Sequence, residues 1–491
     1  MQRSIKPISL LVAAAFASTA VASHAGDKEK REINDLKAQV KALQAQVDAL
    51  KDATQSLLAK QPVNTALPAP AVAPAPAPAV ASDEPTLEQR VNKMELQVEQ
   101  LASADAEGPN AGLSITGYAD VAYFANRNAK TSSFSFGRPN NSTYAYDNSS
   151  MGDIYLDIKK TFGTGTVMPA QAASVLAPTF EVVIAPNRGY GAGSTGGNNI
   201  VHTAQVTLPV DKSMSYFFGQ IGSFAGYEYY QSNLLNTITH NLLYDFADPA
   251  YFTGAGVTYT SGNAAWKFML GNPNSQPFSG GVKSPTFEYR LDYTWDSKTN
   301  IGWSGYVGKS SVNNRQDAPT DFKSAVVYTE ADLAYTLFET TLNAQIDYGR
   351  QRKAAWNGGD ATWWGLSLLG NYKFNDDWAG TLRYDYLDNS KNGGGMPAYY
   401  GAGGTDTVNG WGIDPACLAD AQANDPSDYG FACKGAKRSA ISAALLFYPM
   451  KQVVLKSELR FDHANLPVFA KKNGEQVKNN TLFGLQAVYS F

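Results

Sequence analysis

Beyond residue 22 the sequence has no apolar run of helix-crossing length, which excludes a membrane span built from an α-helix. Cysteine is nearly absent: only Cys417 and Cys433, both late in one Gly-rich segment. None follows the apolar stretch near the start, which excludes anchoring through a lipidated cysteine there. A strong charge of either sign is missing too. The formal net charge of −4 argues against a nucleic-acid surface. No metal-ligand spacing and no phosphate-cradling glycine motif stands out, so no metal and no cofactor is expected.

Histidine is scarce, with four in 491 residues, and this bears on catalysis. A hydrolytic site would need a serine and an orienting Asn or Asp within reach of one histidine. His202 falls at a strand start, His240 in a long loop and His463 at a strand end. His463 directly follows Asp462, but neighbours in a strand point to opposite faces. The chain therefore reads as a non-enzyme.

What is abundant is aromatic side chain and glycine: Tyr 27, Phe 23, Trp 8 and Gly 43. Mean hydropathy is nevertheless −0.28. That mixture suits a wall with an aromatic, lipid-facing side and a wet inner side.

Residues 1–25 read as a secretory signal: Arg3 and Lys6, an apolar core from Ile8 to Val21, and Ser23-His24-Ala25 at the cleavage site. Cleavage after Ala22 is the alternative. In an exported chain Cys417 and Cys433 fit one disulfide stapling a loop. A metal or redox pair would need further partners. Residues 27–61 carry Ile33, Leu36, Val40, Leu43, Val47, Leu50 and Leu57 at alternating spacings of three and four, with Thr54 the one lapse. The spacing predicts a periplasmic coiled coil; a lone amphipathic helix packed on a domain is the competing reading. Residues 62–82 are a Pro/Ala-rich linker, extended at about 3.1 Å per residue. A second short coiled coil, 83–103, follows with Leu87, Val91, Met94, Val98 and Leu101.

From Leu113 the pattern changes to period two and holds to the end. The fold class expected for 113–491 is all-β, a transmembrane antiparallel β-barrel of about sixteen strands behind the coiled coils. Connections alternate between long (128–149, 187–199, 223–252, 389–437, 464–480) and short (such as Asp211-Lys212-Ser213 and Asn375-Asp376-Asp377). Only 163–176 is a short-side link of unusual length. Tight turns at one rim and long loops at the other mark an outer-membrane barrel, whereas a soluble sandwich has no reason to sort its loops. The last strand, ending on Phe491, is expected to close against the first.

Alternation also assigns the faces. In Phe287–Trp295 the odd positions face outward while Glu288, Arg290 and Asp292 face in. Arg383 and Asp385, then Lys456, Glu458, Arg460 and Asp462, repeat the pattern, as do Asp153, Asp157 and Lys159. These are the pore-lining candidates, with structural salt bridges across the lumen as the alternative role. Thirteen inward acids against seven bases lean towards a cation-favouring lumen. The third long loop adds Tyr227, Glu228 and Tyr229. It is too apolar for a freely solvated loop and is expected to pack inside the barrel; an external cap or a subunit contact competes.

Two stretches suggest a family. Gly219-Gln-Ile-Gly-Ser-Phe-Ala-Gly-Tyr-Glu228, followed by Asn236 and Pro249-Ala-Tyr-Phe-Thr-Gly-Ala-Gly-Val-Thr-Tyr259, resembles the OmpL-like porins of the β-barrel porin-2 type. Gly117-Tyr-Ala-Asp-Val-Ala-Tyr123 looks like that family's first strand. Gln220 stands where the family usually has Lys, and Phe252 where it has His. The coiled-coil prefix is similar to that of trimeric substrate-selective porins. The resemblance implies a homotrimeric outer-membrane porin that passes small hydrophilic solutes or ions by diffusion. It also implies that Phe491 is an end-signal read by the barrel-assembly machinery. The alternative is a structural barrel without an open pore, either a cell-wall tether or a sheath for a partner protein.

Overall fold

The computed structural model of the chain describes residues 112–136, 152–162, 177–185, 200–249, 251–273, 285–311, 323–395, 412–428 and 430–491. The expected signal, both coiled coils, the linker and the links 163–176 and 187–199 lie outside the described residues. The chain divides into two units, 1–82 and 83–491, and every described residue belongs to the second.

Nineteen strands are described. The first six are β1 (Leu113–Asn126), β2 (Thr131–Ser135), β3 (Ile154–Thr161), β4 (Thr179–Ile184), β5 (Val201–Pro209) and β6 (Met214–Gly222). After a helix α1 (Leu242–Phe246) come β7 (Tyr251–Ser261), β8 (Ala264–Pro273), β9 (Thr286–Asp296), β10 (Thr299–Ser311), β11 (Lys323–Leu337) and β12 (Thr340–Gln351). Then follow β13 (Ala361–Lys373), β14 (Trp378–Asp388), a helix α2 (Pro415–Asn424), β15 (Lys437–Met450) and β16 (Val453–Ala464). A small hairpin, β17 (Phe469–Ala470) and β18 (Gln476–Val477), precedes the last strand, β19 (Asn479–Ser490).

Each long strand pairs antiparallel with its neighbour, and β19 closes on β1 with Tyr118 opposite Ser490 and Asn126 opposite Leu482. The result is a closed antiparallel barrel of sixteen strand positions, as the alternation predicts. Phe491 completes the seam by exchanging both backbone bonds with Gly117, at 2.9 and 3.0 Å. Several short turns are set by their own side chains. Asp211 accepts from the N–H groups of Ser213 and Met214, and Asn375 from those of Asp377 and Trp378. Asp and Asn favour such turns because a short side chain can reach its own backbone two or three residues on.

One wall position departs from expectation. Residues 128–149 do not form a single long loop. The chain turns back at 127–130, and β2 pairs with the upper half of β1, Ala122 to Asn126. The lower half, Leu113 to Ala119, pairs instead with β3. Thr-Ser-Ser-Phe-Ser is too polar to announce a wall strand, which is why alternation alone missed it. Asp120 closes the break: its carboxylate accepts from Gly152 N at 2.7 Å, from Asp153 N at 2.8 Å and from Gln486 Nε2 at 2.5 Å. Gly152 has φ +72°, and a Cβ there would meet the Ser135 carbonyl oxygen at 2.2 Å, so only glycine fits.

The two faces of the wall are chemically opposite. On β16, Leu455, Leu459 and Phe461 are exposed outward while Lys456, Glu458, Arg460 and Asp462 are buried inward. Trp295, Trp303, Trp364 and Trp378 stand on the outer surface with Leu382 and Tyr384. An apolar outer surface this continuous is unfit for water and suits a lipid surround.

Candidate functional site

The inner face is best built from the register. Lys159 of β3 lies opposite Glu181 of β4, which lies opposite Gln205 of β5. On the far arc, Glu330 of β11 sits opposite Asp347 of β12. Asp385 of β14 faces Ser367 and Ala440, and Ala440 in turn faces Asp462. Polar and ionised residues thus follow one another around the inside.

Into this polar interior folds the segment 223–249. Lys456 donates from Nζ to three of its carbonyl oxygens: Ser232 at 2.5 Å, Leu235 at 2.8 Å and Thr237 at 3.2 Å. Two residues along, Glu458 accepts from Ile238 N and Thr239 N, both at 2.7 Å, and from Thr239 Oγ1 at 2.6 Å. Arg383 reaches Thr237 Oγ1, Thr239 O, Thr239 Oγ1 and His240 O, and pairs with Glu228 and Asp385, both at 3.1 Å. Arg460 binds His240 O at 3.0 Å while pairing with Asp462. Every one of these wall side chains is buried. Buried charges at such a density are tolerable because each is met by an opposite charge or several dipoles.

The loop is held on other sides as well. Arg290 binds Asp292, Glu330 and Asp332 and donates to Phe224 O at 3.0 Å. The Tyr328 hydroxyl lies 2.6 Å from Asp248 and 3.0 Å from Asp347, and Gln345 donates to both carboxylates. On β3, the Tyr155 hydroxyl is 3.0 Å from that of Tyr230, whose ring meets His202 edge-on. Within the segment, Asn241 caps α1 by accepting from Tyr244 N at 2.8 Å, and His240 stacks on Tyr244 with ring centroids 3.9 Å apart. Apolar residues Ile238, Leu242, Leu243 and Phe246 are fully buried, which explains why a segment this apolar is not solvated.

The sequence-derived candidates divide by environment. Lys456, Glu458, Arg460, Asp462, Arg383 and Asp385 come together under the loop, with Arg290 and Glu288 on the opposite flank of the same loop. Glu228 is turned towards the wall rather than towards water: it accepts from Asn241 N at 2.8 Å and contacts His240 and Arg383. Its charge is met by Arg383, the salt-bridging role that alternation left open for the inward candidates. Tyr227 hydrogen-bonds Ser367 at 2.8 Å, whereas Tyr229 is exposed. Asp157 and Lys159 are half-buried in the second half of β3, and Asp153 is buried beside the wall break. Arg438 was passed over in the sequence although it continues the even-numbered inward row of β15. It pairs with Asp462 at 2.8 Å, and its guanidinium lies 5.4 Å from the ring centroids of both Phe246 and Phe469. Asp248 also escaped notice, since nothing local marks it.

Above the long-loop rim, Cys417 of α2 and Cys433 are joined in a disulfide across 16 residues. Asp414 caps α2 by accepting from Ala416 N at 3.0 Å.

A family model described as "Protein of unknown function (DUF3138)" matches residues 1–491. No curated protein matches the chain. Among solved structures it is similar to outer-membrane expressed OmpT of Vibrio cholerae, at 13% identity and TM-score 0.45 over 77% of this chain and 97% of that one. It is also similar to an anion-selective porin from Comamonas acidovorans, at 12% identity and TM-score 0.47 over 77% and 99% of the two chains. Salmonella typhi OmpF in complex with daunomycin aligns at 13% identity and TM-score 0.43, over 77% and 97%.

Proposed function

We propose that the chain, which belongs to that family, is an outer-membrane porin passing small hydrophilic solutes or ions by passive diffusion. One observation carries the reading: a closed sixteen-position wall turns apolar residues outward and, on most of its strands, polar and charged residues inward. The OmpL-like stretches at 117–123 and 219–259 support it.

Transport of this kind needs no catalysis. Solute enters from the long-loop side, passes the inward segment and leaves through the half past it, where Asp157, Lys159, Glu181, Gln205 and Lys267 are only half-buried. The segment sets the width. Charges paired under it hold it in place, and those beyond it set the field that solute meets. Short turns lie on the periplasmic side, as do the coiled coils, which would gather three copies. Phe491 would serve the assembly machinery as an end-signal.

A second reading has its own support. Arg383, Asp385, Arg460 and Asp462 are at most 1–2% exposed, so on the β14–β16 arc the loop leaves their inner face no water. A barrel filled this tightly suits a structural sheath or tether. Planar-bilayer conductance of the folded full chain separates the two. Discrete current steps, arriving in threes for a trimer, are the porin outcome; a silent bilayer with folded protein present overturns it in favour of the filled barrel.

A further inference from the structure

At the long-loop rim, the turn after β1 and the β17–β18 hairpin enclose a cavity of about 520 Å³. Arg127, Lys130, Lys471 and Lys472 line it together with Asn479 and Thr481. The walls are tied to each other: Lys472 N donates to Asn128 O at 3.1 Å, Arg127 N to Thr481 O at 3.0 Å, and Asn128 Nδ2 to Asn479 O. One carboxylate is present, Glu475, and it is taken by Lys471 at 2.9 Å. That hydrogen bond holds the Glu475 carboxyl below the usual carboxylate range, so it stays ionised beside its lysine. Among the described residues, Arg127, Lys130 and Lys472 have no carboxylate partner. Three unneutralised cations around one cavity attract an anion, and Arg and Lys fit phosphate oxygens well.

The cavity's position narrows the choice of anion. Arg127 and Thr481 continue the odd-numbered, outward-facing rows of β1 and β19, the rows of Val121 and Tyr123 and of Phe483 and Leu485. Asn479 lies on the same side, opposite the exposed His463. Arg127 therefore sits on the outside of the wall, at the upper edge of the apolar surface, and Lys130 and Lys472 line the same cavity from the adjoining turn and hairpin. Immediately below, Phe134 packs on Tyr123 with ring centroids 5.0 Å apart and is 73% exposed. A free phosphate would account for the cations but not for the bare aromatic surface beneath them. An amphiphile would account for both.

We propose that this rim cavity binds the phosphate groups of a phosphorylated glycolipid from the outer leaflet, whose acyl chains lie over Tyr123, Phe134 and Phe483. The site rests on the reading of the wall as membrane-spanning, but not on whether the lumen conducts.

The test uses folded full chain in non-ionic detergent, with diphosphorylated lipid A, its dephosphorylated form and inorganic phosphate as probes. The phosphorylated lipid is expected to bind on the order of tenfold more tightly than the dephosphorylated one. The R127E/K130E/K472E variant should lose that preference while keeping the mobility of a folded barrel in unboiled gels. If the triple variant fails to fold, Lys130→Gln and Lys472→Gln, each made alone in the exposed rim, should still weaken binding several-fold. Equal affinity for both lipids, or an unchanged preference in the folded variants, overturns the proposal. So does inorganic phosphate binding as tightly as the lipid, which would make this a site for free anions. Bilayer conductance tests the porin reading separately: a silent lumen with intact lipid preference defeats that reading alone.

Discussion

The ammonium of Lys456 donates to the carbonyl oxygen of Leu235 at 2.8 Å, joining residues 221 apart in sequence. With Ser232 and Thr237 supplying two more carbonyls, the lysine acts as a cationic peg around which the inward segment is wound. Lys456→Met keeps the length of the stem and removes the donors. Unpaired carbonyls at about 1–3 kcal/mol should loosen the segment without opening the wall. The expected outcome is larger or noisier single-channel current, with wall strands unchanged by circular dichroism. Wild-type conductance in this variant would show that the segment does not limit passage.

Arg383 is the harder residue to replace. It serves six acceptors in all, two of them the carboxylates of Glu228 and Asp385. Arg383→Met leaves both carboxylates buried without their partner, a loss of about 3–5 kcal/mol. Arg383→Lys restores the charge but not the planar fork, so it should recover only part of that loss. Thermal melts of the two variants, ordered Met below Lys below wild type, check this; equal melting of all three would contradict it.

The break in the second wall position makes a local claim. Gly152→Val adds a branched side chain where even a Cβ would lie 2.2 Å from the Ser135 carbonyl oxygen, in a backbone conformation valine resists. Asp120→Asn puts an amide donor among three donors, at a cost of about 1–3 kcal/mol. Both should lower the temperature at which the barrel loses its compact gel mobility, the valine more. A valine variant as heat-resistant as wild type would contradict the assigned junction.

Cys433→Ser opens the staple above the rim. A closed loop of about this size gains roughly 3 kcal/mol from its cross-link. Because α2 contributes no buried residue to the wall, the effect should stay local. Limited proteolysis is expected to cut within 412–436 in the variant and in reduced wild type, with barrel mobility unchanged. Loss of the whole barrel would mean that the cap supports the wall.

How far the sequence could be read follows from the range of each signal. A strand's faces are encoded by its own alternation, so β6, β9 and β14 have the bounds that the pattern predicts, 214–222, 286–296 and 378–388. The inward placement of Lys456 through Asp462 followed for the same reason. The partners of those charges are not encoded locally. Nothing near residue 228 announces that Glu228 pairs with Arg383, 155 residues on. Asp248 looked like a loop residue because Tyr328 and Asp347 reach it only across the closed barrel. The strand β2 was missed for another reason: it is half a wall position, with a composition that a turn would also have.

The anchoring of the inward segment also sets a chronology. Residues 232–241 are made long before Arg383, Lys456, Glu458 and Arg460, the four side chains that grip them. Until β14 to β16 are in place, their backbone carbonyls and N–H groups have no such partners, and contacts this remote in sequence form late. On that arc the inward segment is therefore fixed only once the last strands have joined the wall.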